Sequence, residues 1–158
     1  MKNETAVLEF NRLPGNFIRR LHQISVGIFL QETEVYGITP VQFAALQSVL
    51  ATPDMDQRTL AAAIGQDAST TTGVIDRLEA RGLMSRRPSP IDRRARCLTI
   101  TRQGRELLEE AVPLVLRAQE LLLEPLSKSE RGEFLRLIEV LVNGNNDFSR
   151  APRKSPAD

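Results

Sequence analysis

Apolar residues recur at helical spacing along most of the chain. Near the N-terminus, Phe17, Leu21, Ile24 and Ile28 are separated by four, three and four residues. This spacing puts them on one face of a helix. It predicts a first helix over residues 14–36.

Three shorter helices are predicted next, each bounded by a capping residue and a stop signal. For the first of them, over residues 40–51, Thr39, Pro40 and Gln42 supply an N-cap, a first-turn proline and a capping-box partner. The other two are predicted over residues 57–64 and 68–81, with Asp56 and Asp67 as their caps and Gly65 and Gly82 as their ends.

After these helices the apolar residues alternate with polar ones. The alternation covers residues 83–87 and 96–100, on either side of a connection that contains Pro88 and Pro90. It predicts a β-hairpin with a long tip.

Two more helices are predicted towards the C-terminus, over residues 102–124 and 128–143. The polar tail at 149–158 is expected to be disordered. The predicted fold class is therefore mainly α with one small β-hairpin.

The composition excludes several classes of protein. A length of 158 residues favours one domain, or one domain with an appendage, that buries its own core. The single cysteine, Cys97, excludes an internal disulfide framework, and the single histidine, His22, excludes a two-histidine zinc motif. There is no apolar run long enough for a membrane span and no signal-peptide pattern. We therefore expect a cytoplasmic protein without a membrane segment, a metal or a cofactor.

Positive charge is concentrated in one stretch of the chain. Residues 77–105, here called the basic segment, hold nine arginines and two acidic residues, a local net charge of +7, whereas the rest of the chain carries −6. A basic segment in an acidic chain favours binding to a polyanion. Arginine also outnumbers lysine by eighteen to three, and its planar fork matches phosphate and guanine.

Two short helices joined by a tight turn and followed by a basic hairpin form a winged helix-turn-helix. In this arrangement the second helix enters the major groove of DNA, and the hairpin, or wing, reaches the neighbouring minor groove. Val74, Ile75 and Leu78 form the predicted inward face of the second helix. Short side chains on its outward face allow a close approach to DNA, and the predicted contacts are Ser69, Thr70, Thr72, Gly73 and Arg77. The alternative is an ordinary amphipathic helix with a Ser/Thr-rich start.

Four stretches of the chain form a recognisable set. They are Leu60-Ala-Ala-Ala-Ile-Gly, Ser69-Thr-Thr-Thr-Gly-Val-Ile-Asp-Arg-Leu-Glu-Ala-Arg-Gly-Leu, Pro90-Ile-Asp-Arg-Arg-Ala-Arg and Leu98-Thr-Ile-Thr-Arg-Gln-Gly. This set resembles the MarR-type transcriptional regulators over about residues 10–145. The resemblance implies a dimer formed by the first and the last two helices, and a repressor that a small ligand releases from DNA.

The resemblance also implies roles for residues of the wing. Arg94 would enter the minor groove and Asp92 would hold it, in agreement with the attraction of arginine to a narrow minor groove. The alternatives are a turn residue for Asp92 and a solvated charge for Arg94. The predicted DNA-binding residues of this region are Arg86, Asp92, Arg93, Arg94 and Arg96.

The last two helices carry more apolar surface than a small winged domain can cover. The residues concerned are Leu107, Leu108, Ala111, Leu114, Val115, Leu121, Leu122, Leu123, Leu135, Ile138, Leu141 and Val142. We therefore expect a homodimer. Two-fold symmetry would separate the two recognition helices by about 34–36 Å, one turn of DNA, which implies a pseudo-palindromic operator in double-stranded DNA. The predicted domains are a helical dimerisation region over 10–36 and 102–145 and a winged helix-turn-helix domain over 38–101.

The first helix carries a polar cluster beside its apolar face, and this cluster is similar to that of MarR-type regulators of aromatic-acid catabolism. We hypothesise an anionic aromatic effector, either a carboxylic acid or an acyl-CoA thioester. Arg19 or Arg20 would bind its carboxylate, His22 and Gln23 its ring substituents, and Phe29 and Phe43 would line the walls. The alternative is that the arginines pair with acids at the dimer surface and that His22 is structural.

Other functions remain as alternatives. Cys97 beside Arg96 offers a thiol-based switch if its pKa is lowered, although a small apolar residue of the wing is the favoured interpretation. A winged module that binds an acidic protein, and activation instead of repression, are also open. An enzyme is not expected, because the chain lacks a Ser-His-Asp signature, a phosphate-binding glycine loop and clustered metal ligands.

Overall fold

The computed structural model describes residues 9–91, 96–149 and 152. Its regular elements, in chain order, are α1 (Pro14–Glu32), α2 (Pro40–Ala51), α3 (Gln57–Ile64), α4 (Ala68–Ala80), β1 (Met84–Pro88), β2 (Arg96–Ile100), α5 (Arg102–Leu123) and α6 (Lys128–Gly144). Short 3₁₀ helices span Phe10–Arg12, Glu34–Tyr36 and Asn146–Phe148. The predicted fold class, mainly α with one hairpin, is confirmed.

The predicted caps define the helix starts. The Asp56 carboxylate accepts a hydrogen bond from the backbone N–H of Thr59 at 2.7 Å. Hydrogen bonding to Thr59 lowers the pKa of Asp56. Asp67 accepts the N–H of Thr70 at 2.8 Å in the same way. The capping box of Thr39 and Gln42 is complete, with both of its hydrogen bonds formed. Such caps satisfy backbone donors that a helix leaves free at its first turn.

The end of the first helix differs from the prediction. The α-helix stops at Glu32, and a separate 3₁₀ turn over Glu34–Tyr36 follows it. Gly37 then adopts a left-handed conformation with φ of 55°, which favours glycine. The α-helix thus ends four residues earlier than predicted, and the chain bends between α1 and α2.

The two strands pair antiparallel, with Met84 opposite Ile100 and Pro88 opposite Arg96. The hairpin is also tied to the loop between α2 and α3, because the Leu98 N–H donates to the Met55 carbonyl at 2.8 Å. Gly104 at the start of α5 lies so close to the Leu83 carbonyl oxygen that a β-carbon at position 104 would overlap it. The wing therefore sits directly against α5.

The main core joins α2, α3, α4, the hairpin and the start of α5. Its fully buried members include Leu46, Leu60, Ile75, Leu78, Leu98 and Leu108. A smaller cluster of Phe29, Ile38 and Ala111 connects α1 to α5, with Tyr36 and Phe43 packed against it. The winged part of the chain thus shares its core with the first turns of α5.

Two residues predicted for the dimer surface, Leu108 and Ala111 of α5, are instead buried within the chain. The last helix, α6, contributes no buried residue to these cores among the residues that the structure describes, and its Leu135, Leu141 and Val142 are each 56% exposed. On α1, Phe17 and Ile18 are similarly exposed. Within the described ranges, no helix has the length and apolarity needed to cross a membrane.

Candidate nucleic-acid interface

Helix α4 has the two faces that its sequence predicts. Val74, Ile75 and Leu78 are buried in the core, whereas Ser69 and Thr70 at the start of the helix are exposed. The middle of the outward face is open at Gly73, where an added β-carbon would meet only the Arg77 guanidinium, at 3.8 Å. The helix therefore presents short side chains on a surface that another molecule can approach closely.

The hydroxyl groups of α4 differ in how far the chain already uses them. Thr70 Oγ1 donates to the Asp67 carboxylate at 3.1 Å. Thr72 is half-buried, and its Oγ1 accepts from Gln57 Nε2 at 2.6 Å and donates to the Ala68 carbonyl at 2.9 Å. Thr72 thus connects α4 to α3, while Ser69 and Thr70 lie further out.

Three arginines of the basic segment, on α4 and on the hairpin, have exposed side chains. Arg77 on α4, Arg87 on β1 and Arg96 on β2 are exposed. Their side chains form no ion pair with any residue that the structure describes. Arg87 was not among the predicted DNA-binding residues. The sequence offered a signal for it, because neighbouring residues of a strand point to opposite faces, so Arg86 and Arg87 were not expected to have the same surroundings.

Arg86 is used within the chain instead. Its guanidinium lies 2.7 Å from the Asp76 carboxylate and also contacts the Glu79 carboxylate, while its backbone N–H donates to Glu79 at 2.7 Å. Burial alone would lower the pKa of Arg86, but the hydrogen bond to Asp76 and the charges of Glu79 and Asp76 raise it. Arg86 thus braces the wing against the outward face of α4.

Three predicted contacts of the wing, Asp92, Arg93 and Arg94, lie outside the described residues, so their roles stay predictions. The described chain on either side of them ends at Ile91, which is 97% exposed, and resumes at the exposed Arg96.

The predicted effector residues fall into two groups. Phe29 and Phe43 meet edge to face, with ring centroids 6.0 Å apart. Arg19, on exposed helix, donates to the buried Asn16 amide oxygen at 3.0 Å and to Gln23 at 3.4 Å. The first group lies in a packed cluster and the second on the surface of a single chain.

Helical phase separates the two arginines of this group. At about 100° per residue, Arg19 and His22 project on the side of α1 that holds Phe29, and Arg20 projects on the opposite side. Arg20, His22 and Gln23 are all exposed. Arg19 and His22 thus share one side of α1 with Phe29, at about 15 Å and about 10 Å from it along the helix axis.

Cys97 is buried on β2, where it is 3% exposed. Its thiol lies 3.5 Å from the Asp54 carboxylate and 3.8 Å from the Pro88 carbonyl. Burial, followed by the hydrogen bond and negative charge of Asp54, raises the pKa of Cys97, although Arg87 acts in the opposite direction. The alternative of a thiol-based switch, which needs a lowered pKa, is therefore not supported, and the favoured interpretation of Cys97 as a small apolar residue of the wing agrees with its burial.

Cys97 is therefore expected to resist oxidation, because a raised pKa and burial both reduce attack by its thiolate. Hydrogen peroxide should leave duplex binding unchanged, and a thiol reagent should react at its full rate only after denaturant is added. Rapid reaction of the folded protein, with loss of duplex binding, would support the thiol switch instead.

No group of His, Cys, Asp and Glu able to hold a metal ion is found in the part of the chain that the structure covers.

These features define a class of protein. A helix-turn-helix with an exposed, short-chained second helix and an arginine-rich hairpin beside it is a winged helix-turn-helix of the DNA-binding type. A profile of the MarR family matches residues 38–95. A putative transcriptional regulatory protein for the hcr operon of Thauera aromatica is 33% identical over 115 residues, 73% of this chain and 69% of that protein. The chain belongs to the MarR family of DNA-binding transcriptional regulators, a family of regulators and not of enzymes.

Solved structures agree with this assignment. BpsR of Bordetella bronchiseptica, whose DNA binding is regulated by 6-hydroxynicotinic acid, matches with a TM-score of 0.80 at 30% identity, covering 86% of this chain and 97% of BpsR. The repressor CouR bound to a 23-mer DNA duplex matches with a TM-score of 0.79 at 30% identity, covering 87% of this chain and 99% of that one.

Proposed function

We propose that this protein is a homodimeric repressor that binds a pseudo-palindromic operator and is released by a small anionic aromatic ligand. The observation that carries its DNA-binding part is the open face of α4 at Gly73, together with the exposed guanidinium groups of Arg77 on that helix and of Arg87 and Arg96 on the adjoining hairpin. Phosphate contacts from arginine position a protein on DNA, and short polar side chains in the major groove read the bases.

The roles divide by location. Ser69, Thr70 and Arg77 of α4 face the major groove. The wing, with Arg93, Arg94 and Arg96, follows the backbone into the minor groove, and Asp92 holds Arg94. Arg86 acts by bracing the wing, since Asp76 and Glu79 already engage its guanidinium.

The proposed dimer uses residues 10–36 and 102–145. Its support is the apolar surface of α6, where Leu135, Ile138 and Leu141 lie exposed at helical spacing. Monomeric soluble proteins rarely leave such a continuous apolar patch in water. A second copy of the chain would cover it.

Salt dependence on duplex DNA tests the DNA-binding part. If each subunit neutralises roughly four phosphates, the slope of log affinity against log salt should be about −7 for the dimer. The Arg77→Ala variant should make this slope smaller in magnitude by about two, one unit per subunit. Fluorescence anisotropy on a duplex chosen by selection measures both values.

Arg136→Ala is the control, because Arg136 is an exposed arginine of α6 that pairs with Glu133 and projects about 160° away from Ile138, off the apolar face proposed for the dimer. It should leave the slope unchanged. Absence of selective duplex binding at low salt would overturn the proposal and favour a winged module that binds an acidic protein.

The ligand is proposed to lie between the Phe29–Phe43 pair and the polar residues Arg19, His22 and Gln23. A carboxylate gains strongly from a bidentate guanidinium, and aromatic side chains suit a flat ring. The regulation of BpsR by 6-hydroxynicotinic acid supports this class of ligand.

Calorimetry with 6-hydroxynicotinic acid, benzoic acid and p-coumaroyl-CoA tests this site. For the compound that binds, Arg19→Ala should weaken the affinity by about tenfold or more, the loss of one charge-assisted hydrogen-bonded pair. His22→Ala should also weaken it. Arg20→Ala is the control, because Arg20 projects from the opposite side of α1. Equal ligand affinities for Arg19→Ala, His22→Ala and the unsubstituted protein would show that the ligand does not bind at this site.

A further inference from the structure

Arg81 belongs to the basic segment, but its side chain is used in a different way from its neighbours. It is the C-cap of α4, and its guanidinium donates from Nη1 to the Gly37 carbonyl at 2.8 Å and from Nη2 to the Tyr36 carbonyl at 2.6 Å. Both acceptors are at the bend between α1 and α2. One side chain therefore connects the end of the recognition helix to the end of the first helix.

The bend itself is held from a second side. The Tyr36 hydroxyl donates to the Glu110 carboxylate of α5 at 3.1 Å, and the Tyr36 ring packs against the cluster of Phe29, Ile38 and Ala111. Burial and the neighbouring Glu110 raise the pKa of Tyr36, and a tyrosine hydroxyl is protonated at neutral pH even without this shift, so it can donate. The Tyr36 and Gly37 carbonyls are thus fixed points against which Arg81 can act.

We propose that Arg81 is a positioning residue that sets the orientation of α4 against the α1–α2 bend and does not itself bind DNA. Only arginine offers two donors in a rigid fork that can hold two successive carbonyl oxygens. Two of the five guanidinium N–H donors are committed to these carbonyls, and the salt slope of variants at Arg81 tests whether the other three reach a phosphate.

A small change in the direction of α4 at Arg81 would displace the DNA-facing residues at the other end of the helix. Ser69 lies twelve residues before Arg81, and twelve residues of helix correspond to about 18 Å. A tilt of about 10° at the Arg81 end would therefore move the start of α4 by about 3 Å. Such a displacement exceeds the tolerance of a hydrogen bond to a base edge.

The inference rests on the proposed DNA-binding function, and it is tested on a selected duplex and on a non-selected duplex. Arg81→Lys keeps the charge but loses the fork, and Arg81→Met loses both. We expect each to bind the selected duplex about tenfold more weakly, the cost of about one lost base contact. The salt slope and the affinity for the non-selected duplex should stay unchanged, because no phosphate contact is lost.

Two controls accompany these variants. Arg105→Met removes one exposed arginine of the same basic segment, whose side chain forms no ion pair with described residues, so it matches Arg81→Met in charge. Far-UV circular dichroism and thermal unfolding establish that each variant is folded.

Full binding of the selected duplex by Arg81→Lys would overturn the inference, because charge alone would then suffice. A salt slope smaller by about two in the Arg81→Met dimer would also overturn it, by showing a direct phosphate contact. Failure of the unsubstituted chain to bind any duplex would instead overturn the proposed function, and this inference with it.

Discussion

Leu141→Glu is expected to leave the protein monomeric and to abolish operator binding. Leu141 is 56% exposed on α6, and Ile138, one turn earlier, is 38% exposed. A carboxylate at this position would be buried without a partner in the proposed dimer, which costs several kcal/mol. A monomer carries one recognition helix and so reaches only one half-site. Analytical ultracentrifugation and anisotropy measure the two effects.

Asn143→Glu is the control for this substitution. Asn143 is also exposed on α6, but it projects about 140° away from Ile138 around the helix. This variant should remain dimeric and bind the operator. A Leu141→Glu protein that stays dimeric at micromolar concentration would show that α6 is not in the interface.

Arg86→Met is expected to weaken both the fold and DNA binding. It leaves the carboxylates of Asp76 and Glu79 without their shared cation. Because the Arg86 and Glu79 side chains are each 28% exposed, we expect the free energy of unfolding to fall by about 1–2 kcal/mol, between the values for surface and buried pairs. Two uncompensated acids near phosphates should also lower operator affinity by at least about tenfold.

Arg87→Met separates bracing from charge. Arg87 follows Arg86 on β1 but is exposed and forms no ion pair among the residues described here. Its loss should reduce the salt slope and leave the free energy of unfolding unchanged, as denaturant unfolding can measure. Equal unfolding free energies for Arg86→Met and the unsubstituted protein would contradict the bracing role.

Local signals explain why so much of the fold was predictable. Asp67 and Thr70, or Thr39 and Gln42, are three residues apart, so the capping hydrogen bond and its sequence signature occupy the same few positions. The change from helical spacing to alternation located the hairpin in the same way. The end of α1 at Glu32 was missed, since no glycine or proline stands between Glu32 and Gly37 to mark it.

The roles of the individual arginines could not be predicted from local signals. Arg81 acts on carbonyls 44 and 45 residues away in sequence, and Arg86 on carboxylates 7 and 10 residues away. In the sequence, Arg81 and Arg86 cannot be distinguished from Arg77, another arginine of the basic segment, whose side chain the fold leaves exposed. Only the packing of α4 against the α1–α2 bend and the wing separates arginines that hold the protein together from those available to a partner.

Helix α6 also bears on how long the protein survives in a cell. An isolated helix of its 17 residues is marginal in water, and α6 buries no side chain among the described residues of its own chain. Its order would then depend on association, so the melting temperature should rise with protein concentration. A chain that has not met a second copy would offer α6 to proteases. Proteolysis would therefore remove unassembled chains first. Below a certain rate of synthesis, too few dimers would form to occupy the operator.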